Sequence, residues 1–426
     1  MINETEKRNS IIKFVEKLAN RYKDYEYILE FLDNDNLISF DQLPCLAVLF
    51  GELSKMQPEL NWDKVSLKYL SEINDELENK KLNASTFYGL SGIGYAVLSN
   101  YNNNTRYIKF LNSINSLITR IVDKAIEEET FFMENMECIN GLSGIGRYLI
   151  YFKDNKDILR VIENILKVII KGLKESNVND ISLPGWFVSK ERIGPHILNN
   201  VPNGMFIFGV AHGVAGILSF LSISLINGIE VENQKETINS ILEFITQFEF
   251  KDNGKTLFPA FLSVEEYLAG EVTAGKKKLS WDYASWCYGN SGYSRAFYLA
   301  GKALNNQGYI EYAKSLILET TDFVREDIEK LGFIEPTFCH GYAGYMHTLN
   351  LFYKDTKIEK FRETAELVKN KILQMYNKDN FFGFESYRTI DLEVQRSIGL
   401  TISVLLPLID FYKEKSSEWS SMYLLN

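Results

Sequence analysis

The sequence predicts a mainly α-helical fold, an α,α-toroid of about seven helix pairs carrying a small α+β extension. Three observations predict it. A Gly-x-x-Gly word recurs ahead of apolar runs, amphipathic helical patterns alternate with those runs, and only 8 prolines interrupt 426 residues that are 46% hydrophobic. One inner and one outer helix per repeat is the simplest packing for such a pattern, and seven pairs can close on themselves.

Taken in order, residues 8–33 place Ile11, Ile12, Phe14, Val15, Leu18, Tyr22, Tyr25, Ile28, Leu29 and Phe31 at helical spacing, an amphipathic helix or helix pair. The repeats follow. A degenerate unit lies at 43–50, and two nearly identical ones begin at Gly89 (Gly-Leu-Ser-Gly-Ile-Gly) and Gly141. Further units begin at Gly213, Gly289 and Gly341, and a last degenerate one lies at 394–400. Glycine in these turns permits tight backbone and close helix packing. Outer helices are expected over 107–126, 158–173, 237–248, 310–325 and 360–375. The turns are not phosphate loops, because neither a βαβ context nor Gly-Lys-Ser/Thr accompanies them.

The whole chain, 1–426, reads as one toroid domain, and the spacing of its repeats locates two insertions. Gly89 to Gly141 and Gly289 to Gly341 are each 52 residues, whereas Gly141 to Gly213 is 72 and Gly213 to Gly289 is 76. The excess falls in 176–208 and 250–283. Both stretches mix strand-like words with Gly/Pro turns, so an α+β appendage built from two loops is expected there.

Composition excludes several function classes. A net charge of -10 opposes nucleic-acid binding, which needs a basic face. Residues 1–20 have no signal-peptide pattern, and no apolar run reaches bilayer length, so a cytoplasmic protein is expected. Four cysteines in so long a chain form no disulfide framework; in a reducing compartment they read as metal-binding or catalytic thiols.

Cys287 stands two residues before Gly289, while Cys339 and His340 stand directly before Gly341. Two thiolates and an imidazole are three ligands for zinc, leaving the fourth tetrahedral position open, which is the composition of a catalytic site. Adjacent residues in a helix point about 100° apart, so Cys339 and His340 fit a turn before a helix, where the dipole also favours a thiolate. A single free cysteine is ordinarily a small buried hydrophobe, which is the reading given to Cys45 and Cys138. Of four histidines, His212 opens the third turn as His340 opens its own, so the two could converge; as an isolated residue it would be a cap or a core histidine. His347 reads as packing and His196 is uninformative.

Trp286-Cys287-Tyr288-Gly289, Cys339-His340-Gly341 and Ala211-His212-Gly213 stand in Gly-x-x-Gly repeats, with Pro184-Gly185-Trp186 and Pro202-Asn203-Gly204 ahead of the histidine. Together they resemble the lanthipeptide (lantibiotic) cyclase family over roughly residues 35–405. The resemblance implies an SH2-like extension and one Zn2+ per chain held by Cys287, Cys339 and His340. It implies addition of peptide cysteine thiols to dehydroalanine or dehydrobutyrine, giving lanthionine or methyllanthionine. His212 is the candidate for protonating the enolate, with Glu137 and Tyr288 as further catalytic candidates.

The implied partners are a dehydrated lantibiotic precursor peptide, a dehydratase and an ABC exporter in a membrane-associated complex, with a peripheral place at the inner face of the membrane. Two positions depart from the family. Its aspartate four residues before the second clear turn is Glu137, which can make the same hydrogen bond with a longer reach, and its arginine four residues before the first zinc cysteine is Tyr283, which carries no positive fork. The alternatives are a catalytically impaired peptide-binding scaffold and, on a weaker footing, a carbohydrate-active toroid using paired carboxylates. The 24 tyrosines and 28 phenylalanines allow an aromatic-lined cavity for a peptide, although most such rings serve a core.

Overall fold

The structure, a computed structural model, describes residues 4–28, 42–77, 80, 82–87, 89–101, 107–128, 132–178, 180–194, 201–272, 283–386 and 396–426. The chain divides into two compact units. Met1–Asn83, Tyr88–Ile114 and Phe333–Ser420 form the first, and Ala84–Phe87, Asn115–Gly332 and Ser421–Asn426 the second.

In the first unit the apolar runs form the helices Leu43–Met56, Leu90–Ser99, Tyr342–Thr356 and Ile398–Asp410, all buried along most of their length. A helix apolar on every side must be covered on every side. Leu43–Met56 is covered by Trp62–Leu77, with Phe50 stacked on Trp62 at 5.6 Å and on Tyr69 at 5.8 Å. Glu359–Gln374 covers Tyr342–Thr356. The partner of Ile398–Asp410 is Glu4–Tyr22, from the opposite end of the sequence. That helix is amphipathic as expected, and its end is fixed by Arg21, whose guanidinium donates to the main-chain oxygens of Asn380 and Phe381 at 2.7 Å. The expected continuation over 29–33 lies outside the described residues.

A buried ionic cluster also belongs to this unit. Asp410, fully buried, accepts from Lys354 Nζ at 3.1 Å and from the Ser417 main-chain N–H at 2.8 Å. Glu52, equally buried, accepts from Lys55 Nζ at 3.0 Å and from Lys413. Burial pushes the Asp410 carboxyl up, but the nearby His347, Lys354 and Lys413 side chains and the Ser417 N–H prevail and hold it below its ordinary value.

The second unit holds the inner helices Leu142–Leu149, Val214–Ile226 and Asn290–Ala303, followed by the outer helices Lys156–Gly172, Gln234–Gln247 and Gln307–Glu326. Asn155 and Asn306 cap two of the outer helices by accepting from main-chain N–H groups two and three residues on, so these helices start ahead of their apolar stripes. Ile108–Glu127 follows Leu90–Ser99 in the chain. Among the described residues seven inner helices alternate along the chain with seven outer ones, the order that the repeats predict.

The Gly-x-x-Gly pattern has a steric origin. The first glycine of each Gly-x-x-Gly word caps its inner helix in extended backbone, at φ -146° for Gly89 and -112° for Gly289, so positive φ is not the reason for it. A Cβ on Gly141 would sit 2.5 Å from the Glu137 nitrogen, and one on Gly213 2.5 Å from that of Gly209. A Cβ on the second glycine would strike the carbonyl oxygen six residues earlier, at 2.0 Å for Gly144, 2.1 Å for Gly216, 2.2 Å for Gly292 and 1.9 Å for Gly344. The pattern therefore folds the residues before each helix tightly back over its first turn.

Among the described residues seven short strands complete the second unit, all antiparallel in their pairings: β1 (Ser176–Val178), β2 (Ile181–Leu183), β3 (Phe187–Val188), β4 (Met205–Ile207), β5 (Phe250–Asp252), β6 (Lys255–Leu257) and β7 (Phe261–Ser263). β1 pairs with β2, and β5 with β6 across Asn253-Gly254, both at positive φ as a tight hairpin turn requires. The three-stranded sheet β3-β4-β7 takes strands from both stretches that the repeat spacing marks as insertions. It is fastened to Gln234–Gln247 by Phe244, whose ring lies 5.4 Å from Phe206, 5.0 Å from Phe208 and 5.1 Å from Trp186. Residues 195–200, including His196, and 273–282 lie outside the described residues.

Candidate metal centre and acid–base pair

Each candidate residue sits in a turn ahead of an inner helix. In the Cys287 turn, Asn290 N–H donates to Tyr283 O at 2.8 Å and Ser291 Oγ to Ala284 O at 2.6 Å, closing the loop over the helix start. In the Cys339-His340 turn, Ala343 N–H donates to Pro336 O at 3.1 Å, and Thr337 Oγ1 and Ser386 Oγ donate to the buried Glu335 carboxylate. Cys287 is buried, while Cys339 and His340 are half-buried. All four cysteines are free thiols.

One ligand atom from each of Cys287, Cys339 and His340 lies within 4.8 Å of the others. Ligands on one tetrahedral zinc, with Zn–S near 2.3 Å, stand about 3.8 Å apart. The spacing and the two-thiol, one-imidazole chemistry both suit a single borderline-soft ion with a position left over.

His212 and Glu137 form a pair within the second unit. His212 Nδ1 lies 3.0 Å from Glu137 Oε2, with the imidazole half-exposed and the carboxylate buried. Glu137 is fixed from behind: Ile139 N–H donates to Oε2 at 2.8 Å and Asn140 N–H to Oε1 at 2.5 Å. A carboxylate so held accepts from the imidazole, which fixes the ring orientation and places the hydrogen on Nδ1. Its hydrogen-bonding partner is a histidine rather than the second carboxylate that glycoside chemistry uses.

The turns of this unit are stitched together by main-chain hydrogen bonds, Thr86 N–H to Ile139 O at 3.2 Å, Cys138 N–H to Ala211 O at 3.3 Å and Val210 N–H to Cys287 O at 2.8 Å. Tyr288 lies against the His212 turn, so that a Cβ on Gly209 would meet its ring at 2.4 Å. The repeat glycines made these turns visible in the sequence. The stitching bonds left no sequence signal, because any residue but proline supplies the same N–H and C=O.

Tyr283 turns away from this chemistry. It is buried, its hydroxyl donates to Glu319 Oε1 at 2.7 Å, and its ring meets Phe323 edge-on at 5.8 Å. Glu319 also accepts from Thr256 N–H at 2.7 Å, a role that nothing in the sequence indicated. His347 is fully buried, with Nδ1 3.8 Å from Asp410 Oδ2 and its ring 5.1 Å from Trp419, as a packing residue should be.

Comparison with known proteins bears on both fold and site. A solved nisin cyclase superposes with a TM-score of 0.78 at 23% identity, covering 95% of this chain and 98% of that one. The fold is thus a mainly helical α,α-toroid with small sheets. The nisin biosynthesis protein NisC of Lactococcus lactis subsp. lactis is 25% identical over 395 residues, 90% of each chain. The model of the family described as lanthionine synthetase C-like protein matches residues 42–424. The chain belongs to the lanthionine synthetase C-like family, a class of enzyme that closes lanthionine rings.

Proposed function

We propose that the protein closes lanthionine and methyllanthionine rings in a lantibiotic precursor peptide, with one zinc ion held by Cys287, Cys339 and His340. The observation that carries this reading is the approach of those three ligand atoms to within 4.8 Å. A bound zinc would supply an open position at which a peptide thiol loses its proton near neutral pH. The substrate sulfur bonds to the β-carbon of dehydroalanine or dehydrobutyrine, the C=C π bond is consumed, and the α-carbon takes up a proton.

His212 is the group for that proton. Its Nδ1 hydrogen is committed to Glu137 at 3.0 Å, which leaves Nε2 as the nitrogen that exchanges a proton with substrate. Glu137 steadies the imidazolium that donates to the enolate. Tyr288 supports both turns, since its ring covers Gly209 in one and its backbone follows Cys287 in the other. Cys287 and Cys339, both anionic as ligands, would keep the attacking sulfur electron-rich.

The β3-β4-β7 sheet and its hairpins are assigned as the SH2-like extension of a single toroid domain spanning 1–426. The expected partners are the dehydrated precursor, a dehydratase and an ABC exporter. Among the described residues no helix is long and apolar enough to cross a membrane, so a place at the inner face would come through those partners.

A peptide-binding scaffold with little turnover is the second reading. It is favoured by the buried Tyr283 hydroxyl, bound to Glu319 where the family carries a guanidinium. The test is metal content followed by turnover. The wild type should carry about one zinc per chain, Cys339→Ala much less, and dehydrated precursor should lose its free thiols with wild type but not with His212→Ala. Thiol loss that persists in His212→Ala removes the proton-transfer role. Peptide binding without thiol loss by a zinc-loaded wild type turns the assignment to the scaffold.

A further inference from the structure

The segment Ser421–Asn426 belongs to the same unit as the turns carrying Glu137, His212 and Cys287, and the mechanism above gives it no task. Leu424 and Leu425 are fully buried. The Met422 main-chain oxygen accepts from the Cys138 thiol at 3.4 Å, one residue from Glu137. The Tyr423 main-chain oxygen accepts from the Trp286 indole N–H at 2.9 Å, one residue from Cys287, and the two rings meet edge-on at 5.0 Å.

Two buried guanidiniums repeat the pattern one step further out. Arg147, on the helix that the Glu137 turn begins, donates to Asn426 O at 3.0 Å and to Ser421 Oγ at 2.7 Å. Arg295, on the helix that the Cys287 turn begins, donates to Leu425 O at 2.9 Å. A buried guanidinium demands acceptors, and the oxygens of this short segment supply them.

We propose that Ser421–Asn426 is a positioning segment for ring closure, holding the Glu137 turn and the Cys287 turn at a fixed spacing. The proposal rests on the function argued above. It gives the segment a physical task, because a displacement of about 1 Å between reacting groups can cost a hundredfold in rate. Groups that orient a metal ligand act on metal affinity as well as on turnover.

The test compares the full-length protein with a form lacking 421–426 and with Trp286→Phe, which keeps a ring but loses the N–H. Zinc affinity is measured by chelator competition, site geometry by the visible spectrum of the cobalt-substituted protein, and ring closure in single turnover. The deletion should weaken zinc binding about tenfold and lower kcat far more than it raises KM. The synthetic hexapeptide Ser-Met-Tyr-Leu-Leu-Asn should restore both saturably. Trp286→Phe should weaken zinc about three- to tenfold, as one lost hydrogen bond would, and alter the cobalt spectrum.

Unchanged affinity and spectrum in the shortened protein would overturn the proposal; if that protein does not fold, the same result in Trp286→Phe would do so. A full-length protein that binds zinc but forms no thioether defeats the cyclase reading instead, while affinity and spectrum still decide this one.

Discussion

Replacing Glu137 by glutamine keeps its size and removes its charge, which isolates what the carboxylate does. Three donors converge on it, the Ile139 and His212 groups on Oε2 and the Asn140 N–H on Oε1. A glutamine has one accepting oxygen for these two sides. With that oxygen toward Ile139 and His212, its NH2 group faces the Asn140 N–H. With the oxygen toward Asn140, the NH2 faces Ile139 N–H and forces His212 to accept at Nδ1 and carry its hydrogen on Nε2, the wrong tautomer for proton exchange.

The loss of a charge-assisted bond and one mismatched buried donor should cost about 1.5–3 kcal/mol of stability. The catalytic loss should be larger. Misplaced acid–base catalysis typically costs about 10²–10⁴ in rate, so kcat should fall about a hundredfold or more while zinc content stays unchanged. Free thiols in dehydrated precursor, alkylated at timed intervals and counted by mass spectrometry, give the rate, and a melting curve gives the stability. If Glu137→Gln closed rings within threefold of the wild-type rate while folded and zinc-loaded, the pairing of Glu137 with His212 would have no catalytic meaning.

Two further outcomes concern the scaffold. Gly344→Ala places a methyl group 1.9 Å from Phe338 O, two residues from His340 by way of Cys339, so the turn must open; a stability loss of about 2–4 kcal/mol and a lowered zinc content are expected from melting and metal analysis. Asp410→Asn removes an acceptor fixed by Lys354 and Ser417 and should lower stability by on the order of 3 kcal/mol near neutral pH. Because the Asp410 carboxyl is held below its ordinary value, its contribution is complete above the unfolded carboxylate range near pH 4 and is lost as pH falls through the lower folded value. The wild-type advantage over Asp410→Asn should therefore be constant from about pH 5 to 7 and shrink below about pH 4; a gap already closing at pH 6 would contradict this. Lys354 is itself drawn below its ordinary value by burial, more strongly than Asp410 raises it, so the site owes its stability to several donors on Asp410 rather than to that lysine alone.

The sequence by itself determined the helices and their inner or outer place, and it singled out the candidate ligands. Periodicity of 3.6 states which face of a helix is buried, and runs without periodicity state that all faces are, so Val214–Ile226 and Lys156–Gly172 were distinguishable by reading alone. The repeated glycines marked each turn because a Cβ there collides with backbone only four to six residues away, a local constraint with a local signature. Thiol and imidazole at Cys287, Cys339 and His340 have the composition that suits a borderline-soft metal, and their ligand atoms lie within 4.8 Å of one another.

Partnership was decided only in three dimensions. Burial patterns say that a surface is covered and never by what, which is why the cover of Ile398–Asp410 could be Glu4–Tyr22 from the far end of the chain. Glu137 and His212 lie 75 positions apart, and Tyr283 and Glu319 lie 36 apart. A hydrogen bond needs about 3 Å and a direction, and no spacing along a chain of this length encodes either. The closing of distant turns onto one another supplied both, and with them the contact between Glu137 and His212.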